Sequence, residues 1–171
     1  KMTCHIEALG HFVPPNKIDN HYFTNTLKLD TSDEWISART GIQYRHYIDA
    51  DSSSADIGTK AALNCFTQTA VTPDQLDLII VATSTPDHHA FPSTACLIQE
   101  RLAATHAAAF DISAACSGFC FALSTAQAYM QLNSYQHILV IGVDCLSTIT
   151  NMQDRGTCIL FADGAGAALI S

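Results

Sequence analysis

Two cysteines stand four residues apart in the run Phe110-Asp-Ile-Ser-Ala-Ala-Cys116-Ser-Gly-Phe-Cys120-Phe-Ala-Leu123, with almost nothing polar around them. A thiol attacks as its thiolate, so the chemistry turns on what would favour ionisation. Cys116 follows a strand-like run, Ala107–Ile112, and opens a helical run from Cys116 to about Asn133. In open α/β sheets ligands gather at the carboxyl ends of strands. A thiol in the first helical turn also faces unpaired backbone N–H groups and the positive end of the helix dipole. From Ile112 to Val143 there is no Asp, Glu, Lys or Arg, so no sequence-local cation assists Cys116. Activation must come from the helix terminus and from a base supplied elsewhere in the structure. Cys120 lies one turn further on, beyond the reach of the terminus and amid Phe119, Phe121 and Leu123, which predicts a packing thiol. On these residues alone Cys116 is either a nucleophile or a small buried hydrophobe, and both readings stay open.

Two other motifs invite chemistry. His88 and His89 sit in a Pro-containing loop without a carboxylate or cysteine at metal-ligand spacing, so a structural role is expected and no metal site is assigned. Gly164-Ala-Gly166 follows a strand, but strand-like residues come after it and offer no helix N-terminus to a phosphate. A tight strand-to-strand turn is the expectation there.

The elements that must position these residues follow from periodicity. A strand near Thr3–Leu9 leads through Pro14-Pro15 to a short helix after Asn20. Thr31-Ser-Asp-Glu34 has the pattern of a capping box, and its helix should end near Gly41. Ser52–Ser54 opens a second helix reaching about Thr69. Leu78–Thr83 reads as a strand buried on both faces. Then come a helix at Pro92–Leu102, the strand Ala107–Ile112, the Cys116 helix, the strand Ile138–Val143, and two strand-like runs, Thr157–Phe161 and Ala165–Ile170. The alternation predicts an α/β layer structure with parallel βαβ units and right-handed crossovers.

Composition narrows the function. The chain has 171 residues with a formal net charge of −8, from 16 acidic and 8 basic residues. Nucleic acid and anionic membrane surfaces are poor partners for such a balance. The longest uncharged stretch is interrupted by Ser, Thr, Gln, Asn and His, so it reads as protein interior and not as a membrane span. Seven cysteines, at positions 4, 65, 96, 116, 120, 145 and 158, are an odd number with no Cys-x-x-Cys pair. With no signal-peptide pattern, reduced cytoplasmic thiols are expected rather than a disulfide framework.

Four segments resemble, in order and spacing, the β-ketoacyl-acyl-carrier-protein synthase III family of thiolase-fold condensing enzymes. They are Asp30-Thr-Ser-Asp-Glu-Trp35-Ile-Ser-Ala-Arg39-Thr-Gly-Ile, His89-Ala-Phe91-Pro-Ser, the Phe110–Phe119 segment, and Asp154-Arg155-Gly-Thr-Cys-Ile-Leu-Phe161-Ala-Asp-Gly-Ala-Gly. The resemblance implies that Cys116 accepts an acyl group from an acyl-CoA primer. Malonyl-acyl-carrier-protein would then decarboxylate and attack the thioester in a ping-pong reaction that initiates fatty-acid synthesis. It implies no permanently bound cofactor; acyl-CoA is a substrate. Trp35 and Arg155 match the residues that sandwich the adenine ring, Thr31 a hydrogen-bonding contact to the nucleotide end, and Arg39 the residue facing the CoA phosphates. Phe91 matches a phenylalanine that reaches across a homodimer interface to the partner's acyl pocket. Gly156 and Phe161 match positions near the substrate channel.

The same resemblance implies a thiolase-like fold in which a subunit is two βαβαβαββ halves, with residues 1–171 the N-terminal, nucleophile half and the C-terminal half absent. The family's catalytic histidine and asparagine, and one backbone donor of its oxyanion hole, belong to that second half, so no residue here is assigned those roles. A lone half would expose the Cys116–Asn133 helix, which invites aggregation or obligate pairing. Two alternatives remain at this stage. One is a thiolase-fold acyltransferase that does not condense. The other is a non-catalytic structural partner of a condensing enzyme, against which the retention of Cys116, Trp35, Arg39 and Arg155 weighs.

Overall fold

The computed structural model describes residues 4–132 and 134–171. Thr3 and Asn133, the predicted ends of the first strand and of the Cys116 helix, lie outside the described residues. The apolar run Leu78–Ala82 forms strand β4 of the sheet and is buried at every position. To keep chain order, the elements before it are β1 (Ile6–Phe12), β2 (Asn16–Asp19), α1 (His21–Asn25), α2 (Asp33–Thr40), β3 (Tyr44–Tyr47) and α3 (Ser54–Phe66). After it come α4 (Thr94–Leu102), β5 (Ala108–Ile112), α5 (Gly118–Met130), β6 (Ile138–Cys145), α6 (Arg155–Cys158) and β7 (Asp163–Ile170).

Five strands make one sheet in the order β1-β7-β6-β4-β5. β4 runs parallel to both β5 and β6, as the strand–helix–strand alternation predicts, while β7 runs antiparallel to β6 and to β1. Alternate residues along each strand serve opposite faces. Ile79, Val81, Leu139, Ile141 and Leu169 pack under α3 and α4. Leu78, Ile80, Ile138, Val140 and Ala168 pack under α5. α3 approaches β1 so closely that a Cβ on Gly10 would lie 2.3 Å from Cys65 N and 2.4 Å from Ala61 O.

Several boundaries differ from the sequence reading for identifiable reasons. The first strand lies three residues later than predicted, because its register against β7 runs from Ile6 to Phe12. The β2–β3 ribbon has no sequence counterpart; both strands are short and largely polar, Asn16–Asp19 and Tyr44–Tyr47, so neither shows period-2 alternation. Thr157–Phe161 is not a strand: Asp154 accepts from Gly156 N at 2.9 Å and starts the one-turn helix α6. Gly164 and Gly166 do not make a turn but lie inside β7, opposite Asp144 and Gly142 of β6. Glycine at two of three positions mimics a turn in the sequence, although both residues sit in a regular ladder.

Candidate active site

The Cys116 segment departs from its predicted form in a useful way. Ala115–Ser117 is a single 3-10 turn, and α5 starts only at Gly118, so Cys116 precedes the helix rather than occupying its first turn. Ala115 takes a left-handed backbone with φ 46°, a conformation disfavoured by its Cβ and commonly retained at functional sites. Ser117, the N-cap, donates its hydroxyl to Ala114 O at 2.8 Å and makes no cap bond to the helix. The first N–H groups of α5 therefore keep no side-chain acceptor, directly after Cys116.

Cys116 is exposed and lines a cavity of about 340 Å³ with Ala82, Phe119, Asp144 and Leu146, among others. Its floor is small residues: a Cβ on Gly142 would meet Phe119 Cδ2 at 3.1 Å, so Gly142 lets that ring lie against β6. Asp144 is the one titratable carboxyl on the wall. Burial pushes its proton affinity up, although Ser84 N donates to its Oδ1 at 2.7 Å. Neither Asp144 nor Leu146 was singled out by sequence. β6 runs two residues beyond its predicted end, to Cys145, and the rule that ligands gather at strand carboxyl ends then points to both. Cys120 is also exposed, contrary to the expectation of a packing thiol, because it lies on a face of α5 that stays open among the described residues, with Phe121, Ser124 and Gln127. It does not line the Cys116 cavity. Three further thiols are buried, and burial pushes Cys65 and Cys158 up, and Cys145 up to about 11.

A second group of predicted residues meets at α2. Ser32, not Thr31, caps this helix, its hydroxyl accepting from Trp35 N at 3.1 Å. The cap thus lies one residue later than predicted, and Thr31 Oγ1 is buried without a hydrogen-bond partner among the described residues. Gly41 ends the helix with φ 70°, as its position predicts. The Arg39 and Arg155 guanidinium carbons stand 4.1 Å and 4.5 Å from the Trp35 ring centroid. Arg155 also donates Nη1 to Asp30 O at 2.6 Å. A flat ring needs about 3.5 Å on each side, so nothing stacks between Trp35 and Arg155 until the arginine swings outward. The structure thus brings Thr31, Trp35, Arg39 and Arg155 into one patch. Gly156 follows in α6, and Phe161 is partly exposed beyond it; neither lines the Cys116 cavity.

Phe91 stands apart in the β4–α4 loop, 85% exposed. The loop is strapped on both sides: Asp87 accepts from Ala55 N at 3.0 Å, and Thr85 Oγ1 accepts from Cys145 N at 2.8 Å. Asp111 of β5 accepts from Thr94 N and Ala95 N, each at 2.8 Å, and so holds the start of α4 to the strand that leads to Cys116. A phenyl ring this exposed on a fixed loop is presented outward. His88 and His89 are exposed on the same loop, and among the described residues no group of three or more His, Cys, Asp or Glu could hold a metal ion. No helix among the described residues is long and apolar enough to cross a membrane.

The sheet order, the strained turn at Ala115 and the cavity beside Cys116 define one half of a thiolase-like fold. The family model for 3-oxoacyl-[acyl-carrier-protein] synthase III matches residues 110–171. β-Ketoacyl-[acyl-carrier-protein] synthase III of Clostridium acetobutylicum is 47% identical over 165 residues, which is 96% of this chain and 50% of that protein. The crystal structure of 3-oxoacyl-[acyl-carrier-protein] synthase III from Aquifex aeolicus superposes with a TM-score of 0.93 at 42% identity, covering 99% of this chain and 54% of that one. The priming β-ketosynthase of the R1128 polyketide pathway gives 0.93 at 32% identity, covering 98% and 49%. The chain is thus a homologue of β-ketoacyl-acyl-carrier-protein synthase III, and it spans about half the length of the curated relatives it matches.

Proposed function

We propose that this chain is the N-terminal, nucleophile-bearing half of a condensing enzyme that primes fatty-acid synthesis. The observation that carries the reading is the placement of Cys116, the exposed thiol that lines the cavity, on a strained turn before an uncapped helix. The Cys116 thiolate attacks the carbonyl of an acyl-CoA, the C–S bond to CoA breaks, and the departing CoA thiolate takes up a proton. The first-turn N–H groups of α5 favour the thiolate electrostatically. Malonyl-acyl-carrier-protein then loses CO2; its carbanion attacks the acyl-cysteine carbonyl, and the Cys116 thiolate is released with a β-ketoacyl-carrier-protein as product. The histidine and asparagine for decarboxylation belong to the second half.

The nucleotide end of CoA is assigned to Trp35, Arg155, Arg39 and Thr31. A planar guanidinium suits both a ring face and a phosphate, and an unpartnered buried hydroxyl is free to bond a ligand once the arginine has swung away. Phe91 is assigned to a homodimer partner's acyl pocket, and Gly156 and Phe161 to the channel walls. The working form is a cytoplasmic homodimer with both halves present. Intact-mass spectrometry under denaturing conditions, after incubation with acetyl-CoA, tests the reading. One acetyl group is expected, and none on Cys116→Ala. Acetylation that persists in that variant, or none on a protein that contains both halves, overturns it.

A further inference from the structure

Arg45 of β3 is 4% exposed, yet its guanidinium has few partners. Nη2 donates to Ile159 O at 2.9 Å, and the guanidinium carbon stands 4.7 Å from the Phe23 ring centroid. Nε and Nη1 are buried with no hydrogen-bond partner among the described residues, and the same holds for Tyr47 Oη two positions along the strand. A buried charge with one acceptor costs several kcal/mol relative to an apolar chain of the same shape. Stability alone therefore does not account for an arginine here, and what it grips becomes the question.

Ile159 is the C-cap residue of α6. That helix is one turn long, too short to hold itself. Asp154 secures its start, accepting from Gly156 N at 2.9 Å and from the Thr157 hydroxyl at 2.8 Å. Arg45 secures its end from inside the core. On the outer side of the same turn sits Arg155, over Trp35 and bonded to Asp30 O. Buried Arg45 therefore bonds to one end of this short element and exposed Arg155 bonds outward from the other, and where the Arg155 side chain starts from depends on how that turn is held.

We propose that Arg45 is a positioning residue for acyl-CoA: by anchoring α6 it sets where Arg155 meets the nucleotide. The proposal rests on the nucleotide-site reading above. It is distinct from general stabilisation because its effect falls on that part of the substrate which reaches α6.

The test uses the protein with both halves present and measures Cys116 acylation by acetyl-CoA and by acetyl-pantetheine, which has the same thioester and no nucleotide. Arg45→Met is expected to raise KM for acetyl-CoA about tenfold with kcat nearly unchanged, the scale of one charge-assisted hydrogen bond. KM for acetyl-pantetheine should stay near the wild-type value. Arg155→Ala should show the same pattern. Arg45→Lys keeps one donor but not the flat face over Phe23, so a smaller rise confined to acetyl-CoA is expected. It serves as the readout if the methionine variant does not fold. Equal losses on both substrates, or an unchanged KM for acetyl-CoA in Arg45→Lys, overturn the proposal while the nucleotide site stands. If the wild type uses the two substrates equally well, or Arg155→Ala leaves the preference intact, the nucleotide-site reading fails and takes the proposal with it.

Discussion

α3 and α5 are both 13 residues long and cover opposite faces of the same sheet, yet eight residues of α3 are buried against four of α5. The buried residues of α5 are Gly118, Ala122, Ala126 and Met130, one narrow stripe at helical spacing. Its remaining surface includes Cys120 and Phe121, the latter 57% exposed, and carries no charge. α3 packs on β1, β7 and β6 and has α4 beside it, whereas α5 packs on β4, β5 and β6. The more apolar helix is thus the less buried one. A helix apolar all round belongs in an interior, so the outer face of α5 is where a further layer belongs. That is the face the absent half is proposed to cover, and the edge of that layer would close over Cys116.

The largest test of this contrast places a carboxylate on each helix. Ala61 of α3 is fully buried, and Ala61→Asp should cost about 4 kcal/mol or more and leave the chain unfolded. Phe121→Asp should change the stability of this chain alone by less than about 0.5 kcal/mol and make it more soluble. In the protein with both halves, the same substitution should cost several kcal/mol. Urea titrations of the two variants in both lengths measure this. A Phe121→Asp protein of full length with unchanged stability would show that nothing covers α5.

Crowding gives the next contrast. An added Cβ at Gly10 meets backbone atoms of α3 at 2.3 Å and 2.4 Å, which nothing nearby can yield. Gly10→Ala should therefore cost about 3 kcal/mol. At Gly118 an added Cβ lies 3.1 Å from Ala82 Cβ, and alanine at this first helical position recovers about 0.5 kcal/mol of backbone entropy. Gly118→Ala should be close to neutral. Equal losses at the two sites would mean that α5 is held as rigidly as α3.

The same contrast explains what could be read from sequence. β4 and β6 were legible because strands buried under helices on both faces are continuous apolar runs, whereas β5, an edge strand that contains Asp111, was legible from its place between two helical runs. The Cys116 turn was legible because it follows such a strand and because long motifs resemble a known family. The β2–β3 ribbon was not, since strands of four residues with Asn, Lys, Arg and His carry no periodicity. The exact state of Cys116 escaped too: a 3-10 turn is set by the left-handed Ala115, and an alanine gives no warning of a positive φ. Arg45 was invisible because its role depends on Ile159, 114 residues away. The closed Trp35–Arg155 stack is likewise a tertiary fact, although both residues were picked out by type and motif.

Thiols supply a smaller contrast. Under the α3–α4 layer, burial pushes Cys65 up and Cys145 up to about 11, from an unperturbed value of 9.0. The unfolded chain then loses these protons first, so unfolding is favoured progressively between about pH 9 and pH 11, and these thiols add no pH dependence below about pH 9. For Cys145 the loss should reach roughly 2 kcal/mol, and Cys145→Ala should flatten the profile. Urea midpoints measured from pH 7 to pH 10.5 decide this; a midpoint independent of pH would remove Cys145 from the account. Alkylation by iodoacetamide at pH 8 should reach Cys116 and Cys120 on the open side and spare Cys65 and Cys145 until the chain unfolds.

The smallest contrast lies at the helix starts. Ser53 and Asp56 close a full capping box on α3, with Asp56 Oδ2 accepting from Ser53 N at 2.8 Å. Ser53→Ala should cost about 1 kcal/mol. Ser117 of α5 makes no such bond, so Ser117→Ala should shift stability by no more than a few tenths of a kcal/mol. What α5 forgoes in stability it keeps as first-turn N–H groups without a side-chain acceptor beside Cys116, although the Gly118 N–H itself is taken by Ala115 O. Ser117→Asp sharpens the point, because its carboxylate would take those donors and set a negative charge next to the thiol. The helix should gain a few tenths of a kcal/mol while acylation of Cys116 slows about tenfold. Acylation as fast as wild type would mean that the uncapped start of α5 has no part in activating the thiol, and that the charge must be sought on the half that covers it.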